Sequence, residues 1–182
     1  MAELKLFVFL ISLYFYASYA KEPELIPMKF KAPELSEEET ESNYIPDALK
    51  CDACQAVAFQ IKQALLSAKD RKKSKELVES EILDILWPLC DNGFEQYGLK
   101  EVEGVNRLSG PGLETTESAG LVQMGGKWPR RIRDICSVLI GDLDEMELYK
   151  VLKKDSRRFN NFVCKEHCTN VKKKKESRKT EL

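Results

Sequence analysis

Histidine is nearly absent from this chain, with His167 the only one among 182 residues. No nucleophile–histidine–acid set can be assembled from the pattern around it, so we do not expect a hydrolase. The sequence has no N-x-S/T acceptor, and N-glycosylation is not expected. A net charge of −1 gives no general reason to expect nucleic acid as a partner. No apolar run after residue 20 is long enough for a transmembrane helix.

The first twenty residues have the pattern of a signal peptide. An apolar segment of 11 residues, Leu6 to Tyr16, follows Lys5 and is too short to span a bilayer. Ser18-Tyr19-Ala20 fits the small-x-small rule for cleavage, which predicts processing between Ala20 and Lys21. The alternative is a signal anchor that stays in the membrane.

The last four residues resemble a signal for localisation within the cell. Lys179, Thr180, Glu181 and Leu182 differ from the K-D-E-L retrieval signal at one position. Together with a signal peptide, this end predicts residence in the lumen of the endoplasmic reticulum, with some secreted protein. In that oxidising compartment, an even set of six cysteines predicts a disulfide framework.

Helix geometry favours one pairing of the six cysteines among the 15 that are possible. Cysteines three or four residues apart share one face of a helix. If the helix with Cys51 and Cys54 lies antiparallel to the helix with Cys164 and Cys168, the bridges are nested. The expected bridges are Cys51–Cys168, Cys54–Cys164 and Cys90–Cys136.

The apolar spacing predicts an all-α domain of four or five short helices with three disulfides, over residues 47–168. The first helix is expected over about 48–68, with Cys54, Val57, Ala58, Ile61 and Leu65 on its inner face. Further helices are predicted over about 74–87, 129–140, from 142 or 144 onward, and 157–168. Residues 21–46, acidic and with four prolines, are predicted to be a disordered leader, and residues 169–182 a basic tail.

Residues 91–127 form an irregular insertion that carries eight of the nine glycines. A long loop closed by Cys90 and Cys136 suits a binding element, because the bridge lowers the cost of ordering it on a partner. We expect Leu108 and Leu113 to be exposed and, together with Arg107, to contact the partner. A tolerated surface insertion is the alternative.

Three functional hypotheses compete with the interpretation of a non-enzymatic domain whose cysteines form structural bridges only. Cys51-Asp52-Ala53-Cys54 has the C-x-x-C spacing of a thiol-disulfide oxidoreductase, but the strand–helix context of such enzymes is absent. Zinc could be held by four thiolates with His167, although an oxidising lumen opposes free thiolates. Lipid binding is the third, and the charged helix surfaces oppose it. We therefore predict a protein that is not an enzyme and has no metal or cofactor.

Several segments resemble the family of the marginal zone B-cell-specific proteins, whose fold is saposin-like and whose distant relatives are the canopy proteins. They are L-K-C-D-A-C-Q-A-V-A from residue 49, Q-Y-G-L-K-E-V from 96, R-L-S-G-P-G-L from 107 and G-G-K-W-P from 125. The resemblance implies a saposin-like bundle that helps immunoglobulin heavy and light chains to fold and assemble. It further implies support of IgM assembly and secretion, the chaperones BiP and endoplasmin as partners, and links to calcium stores and integrin activation in B cells.

Overall fold

The structure is a computed structural model that describes residues 31–72 and 76–169. Its described part is mostly helical and contains a small sheet. The α-helices are α1 (Glu37–Glu41), α2 (Lys50–Arg71), α3 (Glu79–Leu86), α4 (Trp128–Asp142), α5 (Glu145–Lys154) and α6 (Phe159–Val163). The 3-10 helices are Asp47–Leu49, Trp87–Cys90 and Glu114–Glu117, and residues 165–169 are again helical.

Helix α2 is the central element. It packs against α4 along one side and against α3 and α6 elsewhere. The five positions predicted for its inner face are all fully buried, which confirms the 3.6-residue period in the sequence. The core is therefore arranged around this single long helix.

The boundaries of the later helices differ from those predicted. Helix α3 begins at Glu79 rather than near residue 74, and the Glu81 carboxylate accepts a hydrogen bond from the Val78 amide at 2.9 Å. Helix α4 continues through Gly141 to Asp142, so that glycine does not end it. Asp144 caps α5, its Oδ1 accepting from the Glu147 amide at 2.6 Å.

The prediction of a purely helical domain is wrong in the insertion. Strands β1 (Gly98–Val102), β2 (Val105–Ser109) and β3 (Val122–Met124) form an antiparallel sheet in the order β2-β1-β3. Glu103 and Gly104 join β1 to β2 with positive φ angles of 53° and 76°. Two such residues make the tight turn whose twist matches that of the paired strands, and the hairpin follows from it.

The prediction of a disordered leader is also wrong over the part of it that is described. Ile45, Pro33 and Pro46 are buried, and α1 is capped by a reciprocal pair of hydrogen bonds between Ser36 and Glu39. We call residues 33–46 the strap, because they lie along the domain and are bonded to it at several points.

None of the helices over residues 31–72 and 76–169 combines the length and the apolar character that a membrane span requires.

Candidate functional site: the disulfide clamp and the sheet insertion

Three bridges hold the domain together, and they are those of the nested arrangement predicted from helix geometry. Cys51 is bonded to Cys168 and Cys54 to Cys164, while the third bridge joins the remaining pair. The Cys54–Cys164 bridge is buried in the core. The Cys51–Cys168 bridge is half-buried at the edge of the domain. The outer two bridges therefore clamp the start of α2 to the C-terminal helical residues.

The clamp determines what the C-x-x-C spacing can do. Cys51 and Cys54 are not bonded to each other, since each is bonded to a cysteine more than 100 positions away. With all six cysteines in bridges, no sulfur of the hypothetical zinc set is a thiolate. Around Cys168, the Gln55 amide nitrogen donates to the sulfur at 3.7 Å.

A buried carboxylate joins the clamp to the insertion. Asp52 lies between the two clamp cysteines of α2, and its Oδ2 accepts from Arg107 Nε at 2.7 Å and from the Leu108 amide at 3.1 Å. Its Oδ1 accepts from Arg107 Nη2 at 2.7 Å. This two-pronged hydrogen bond raises the pKa of Arg107, which burial alone would lower. Helix α2 and strand β2 are thus joined by a charged pair at the clamp.

The side chains expected to contact a partner are mostly internal. Leu108 is 0% exposed and Leu113 is 7% exposed, so the prediction that both are exposed is wrong. Leu108 pairs with Leu99 across the sheet and turns into the core, because alternate residues of a strand face opposite sides. Arg107 is partly exposed but is occupied by Asp52. This part of the insertion is a structural element of the domain.

A buried lysine fastens the second half of the insertion. Lys100 lies on β1, and its Nζ donates to the carbonyl of Thr115 at 2.8 Å and to that of Ser118. Thr115 in turn donates from its hydroxyl to the Leu108 carbonyl at 2.6 Å. The ammonium group is satisfied by main-chain oxygens, as a buried charge requires. The sequence gives no periodic signal that would have identified it.

Gly112 is a position where a larger residue cannot fit. Its φ is +79°, and a Cβ there would lie 2.1 Å from Cγ of Phe59 on α2. We expect Gly112→Ala to lower the free energy of unfolding by about 1–2 kcal/mol from backbone strain and by a further ~1–3 kcal/mol from overpacking. Gly125→Ala is the matched control, since φ is +82° there with no atom within 4 Å. Equal losses in urea unfolding would show that the Phe59 contact has no energetic weight.

Tyr97 connects the insertion to α2 through its hydroxyl, which donates to the Pro111 carbonyl at 2.7 Å and accepts from Gln60 Nε2 at 3.0 Å. Burial raises the pKa of Tyr97 above its ordinary value of 10.0. Because the phenol has a higher pKa in the folded protein than in the unfolded chain, its contribution to the free energy of unfolding is complete at pH values below the unfolded-state pKa. That contribution is lost as the pH rises through the folded-state pKa.

We expect Tyr97→Phe to lower the free energy of unfolding by about 1–2 kcal/mol at neutral pH. This difference from the wild type should shrink above about pH 10, because only the wild type loses the contribution of the phenol. Urea unfolding of both proteins at neutral and alkaline pH measures it. A difference that stays constant with pH would contradict the assignment.

The strap crosses the domain beside the sheet and α4. Arg131 of α4, only 1% exposed, donates from Nη1 to the Glu39 carbonyl at 2.8 Å and from Nη2 to the Ser42 carbonyl. Lys127 donates to the Glu41 carbonyl at 2.9 Å. Burial lowers the pKa of Arg131, and the ring of Trp128 lies 4.4 Å from its guanidinium carbon.

On the sheet side, Asn106 continues the same row of contacts. Its amide nitrogen donates to the Glu34 carbonyl at 2.8 Å and to the Glu39 carboxylate at 2.9 Å. We call Asn106, Lys127 and Arg131 the strap cradle. No pattern in the sequence predicts the cradle, because its members are separated by up to 25 positions and come from strand β2 and from the start of α4.

The remaining predicted sites fall at the two ends of the chain. The cleavage residues Ala20 and Lys21, and the retrieval residues Lys179, Thr180, Glu181 and Leu182, lie outside the described residues. They stay predictions from the sequence.

Comparison with known proteins identifies the family, although no protein-family profile matches the sequence. The rat Marginal zone B- and B1-cell-specific protein is 33% identical over 147 residues, covering 76% of this chain and 78% of the relative. The bovine protein is 36% identical over 141 residues, covering 73% and 75%. The human protein is 33% identical over 146 residues, covering 76% and 77%. At this identity and coverage, the chain belongs to the family of Marginal zone B- and B1-cell-specific proteins.

Proposed function

We propose that this protein is a folding and assembly helper for immunoglobulin in the lumen of the endoplasmic reticulum. Its clients are heavy and light chains, and it promotes the assembly and secretion of IgM together with BiP and endoplasmin. Linked effects on calcium stores and integrin activation in B cells belong to the same proposal. The observation that carries it is membership of a family whose members are named for marginal zone B and B1 cells.

Two features of the chain agree with that location. The signal-peptide pattern and the K-T-E-L end would deliver and retain a lumenal protein. A domain whose six cysteines are all bridged suits an oxidising compartment. Such bridges also supply stability that a small, highly charged domain needs.

A non-enzymatic helper accounts for the state of the cysteines best. A thiol-disulfide enzyme requires a reactive thiolate, and the C-x-x-C cysteines are each held in a separate long-range bridge. One observation favours weak oxidoreductase activity as the second candidate. The Cys51–Cys168 bridge is more exposed than Cys54–Cys164, and Cys51 lies in the first turn of α2.

Crosslinking in antibody-secreting cells, followed by affinity capture of the tagged protein, tests the proposal. We expect immunoglobulin heavy and light chains among the captured proteins, with BiP and endoplasmin. A tagged variant without residues 179–182 serves as the control for localisation. We expect it to be secreted, and affinity capture from the cells should then recover fewer of these partners with it. Capture of the intact protein without any immunoglobulin chain would contradict the proposed function.

A further inference from the structure

Most of the hydrogen bonds between the strap and the cradle are made to the main chain of the strap and not to its side chains. The cradle makes four hydrogen bonds to main-chain carbonyls, those of Glu34, Glu39, Glu41 and Ser42. Every residue of any polypeptide has such a carbonyl. Side-chain donors aimed at carbonyl oxygens are therefore able to hold another chain of almost any sequence, provided that it adopts the single helical turn that the strap adopts here.

The middle of the strap makes little apolar contact with the domain. Helix α1 has only five residues, and none of them is buried. A helix of this length is not stable by itself, and it is maintained here by the capping box and the cradle. Its contacts to the core come from the two ends of the strap, through Leu35 and Ile45. The middle of the strap is thus the part that can leave with the smallest loss of apolar contact.

Arg131 is not fully satisfied by the strap. Its Nε is buried and has no hydrogen-bond partner, although both terminal nitrogens are bonded. A buried donor without an acceptor costs free energy. A segment that brought one more carbonyl to this point would satisfy the guanidinium group completely.

We propose that the strap cradle is a binding site for segments of unfolded polypeptide that can adopt a single helical turn, and that the strap is a built-in competitor for it. The proposal rests on the proposed function, and it places the binding of the unfolded clients at the strap cradle. The carbonyl oxygens of an incoming chain would accept hydrogen bonds from Asn106, Lys127 and Arg131 in place of those of the strap. Because the site is open only when the strap is displaced, the measured affinity equals the intrinsic affinity reduced by the open fraction.

A strap-loosened variant tests this without altering the cradle. Ser36→Ala with Glu39→Ala removes the capping box and the Asn106–Glu39 contact, and it leaves the main-chain carbonyls in place. The probe is fluorescent α-lactalbumin, reduced and carboxymethylated so that it is unfolded and has no thiol. Binding is measured by fluorescence anisotropy with full mature protein at about 0.15 M salt, to screen nonspecific charge.

We expect the loosened variant to bind the probe about fivefold more tightly than the wild type. Adding Arg131→Met, or separately Asn106→Ala, should remove that gain. Glu38→Ala is the matched control for the strap, and Arg130→Met the control for the arginine, since both side chains are exposed. Hydrogen exchange should show that the probe protects residues 105–109 and 127–131 in the loosened variant.

The outcomes separate the site from the function. Equal binding by the wild type and the loosened variant would overturn the cradle as the site, and so would a gain that survives both cradle substitutions. Either result would leave client binding intact on another face. Absence of probe binding by every variant would overturn both the site and the proposed helper function. Near-ultraviolet circular dichroism of each variant verifies that the fold is kept, and Asn106→Ala decides the result if Arg131→Met does not fold.

Discussion

Replacing Asp52 by alanine is expected to lower the free energy of unfolding by about 3 kcal/mol. The substitution leaves the Arg107 guanidinium group without its two-pronged partner and the buried Leu108 amide without an acceptor. Both groups then lose hydrogen bonds that water replaces only in part, because Asp52 and Leu108 are buried and the Arg107 side chain is only 30% exposed. Urea unfolding followed by circular dichroism measures the change.

Glu114→Ala is the matched control for this pair. Glu114 also contacts Arg107, at 3.2 Å, but its side chain is 84% exposed. Its removal should cost less than about 1 kcal/mol, as exposed ion pairs do. Adding Arg107→Met to Asp52→Ala should recover part of the loss, because the unpaired charge is removed with it. Similar costs for Asp52→Ala and Glu114→Ala would contradict the role given to Asp52.

The largest effect is expected from the two clamp bridges, and it should exceed the sum of the single effects. The bridges enclose nearly the same loop, with sequence separations of 117 and 110 residues. Removing one leaves the other to close that loop, so only a small ring is opened, at a cost of about 2–3 kcal/mol. Removing both opens the long loop as well, for a total of about 7 kcal/mol.

The comparison uses C51A/C168A, C54A/C164A and the variant with all four substitutions. Cys54→Ala and Cys164→Ala also remove two buried sulfurs, so that pair should cost about 1 kcal/mol more than the half-exposed pair. The fourfold variant should lose about 2 kcal/mol more than the two pairs together, and should be largely unfolded given typical stabilities. Strict additivity in urea unfolding would contradict the nested-loop account.

The helical frame and the bridges could be predicted from the sequence because their signals are local. The five inner positions of α2 recur at 3.6 residues, and the cysteine spacings of three and four residues place each pair on one helical face. Once two such faces are set antiparallel, few pairings remain. The structure has the same inner face and the same bridges.

The insertion could not be predicted in the same way. Its strands have five, five and three residues, too short to give a sustained alternation, and glycines are concentrated in the segments between them. The available signal was the pair Glu103-Gly104 between Val102 and Val105. Two turn residues that end in glycine, between two β-branched residues, are compatible with a tight hairpin. Without this turn, the composition of the segment predicts a loop in which Leu108 and Leu113 are exposed.

The strap and its cradle were missed for another reason. Prolines and clustered glutamates are typical of disordered segments. Here the segment is held by Arg131 and Asn106, which are distant in sequence and bond mostly to its main chain, with the Glu39 carboxylate as the one acidic side chain that Asn106 contacts. Such contacts leave no pattern in the strap residues themselves, so only the fold reveals them.

The most direct test of the central claim, that this is a disulfide-locked helper and not a thiol enzyme, is rescue of IgM secretion by C51A/C168A. The variant has no Cys51 thiol, yet the buried Cys54–Cys164 bridge still closes the clamp. It is expressed in antibody-secreting cells that lack the endogenous protein, and polymeric IgM in the medium is measured beside the wild type. We expect secretion close to the wild-type level. A variant that is folded and retained in the cell, but does not restore secretion, would contradict the account.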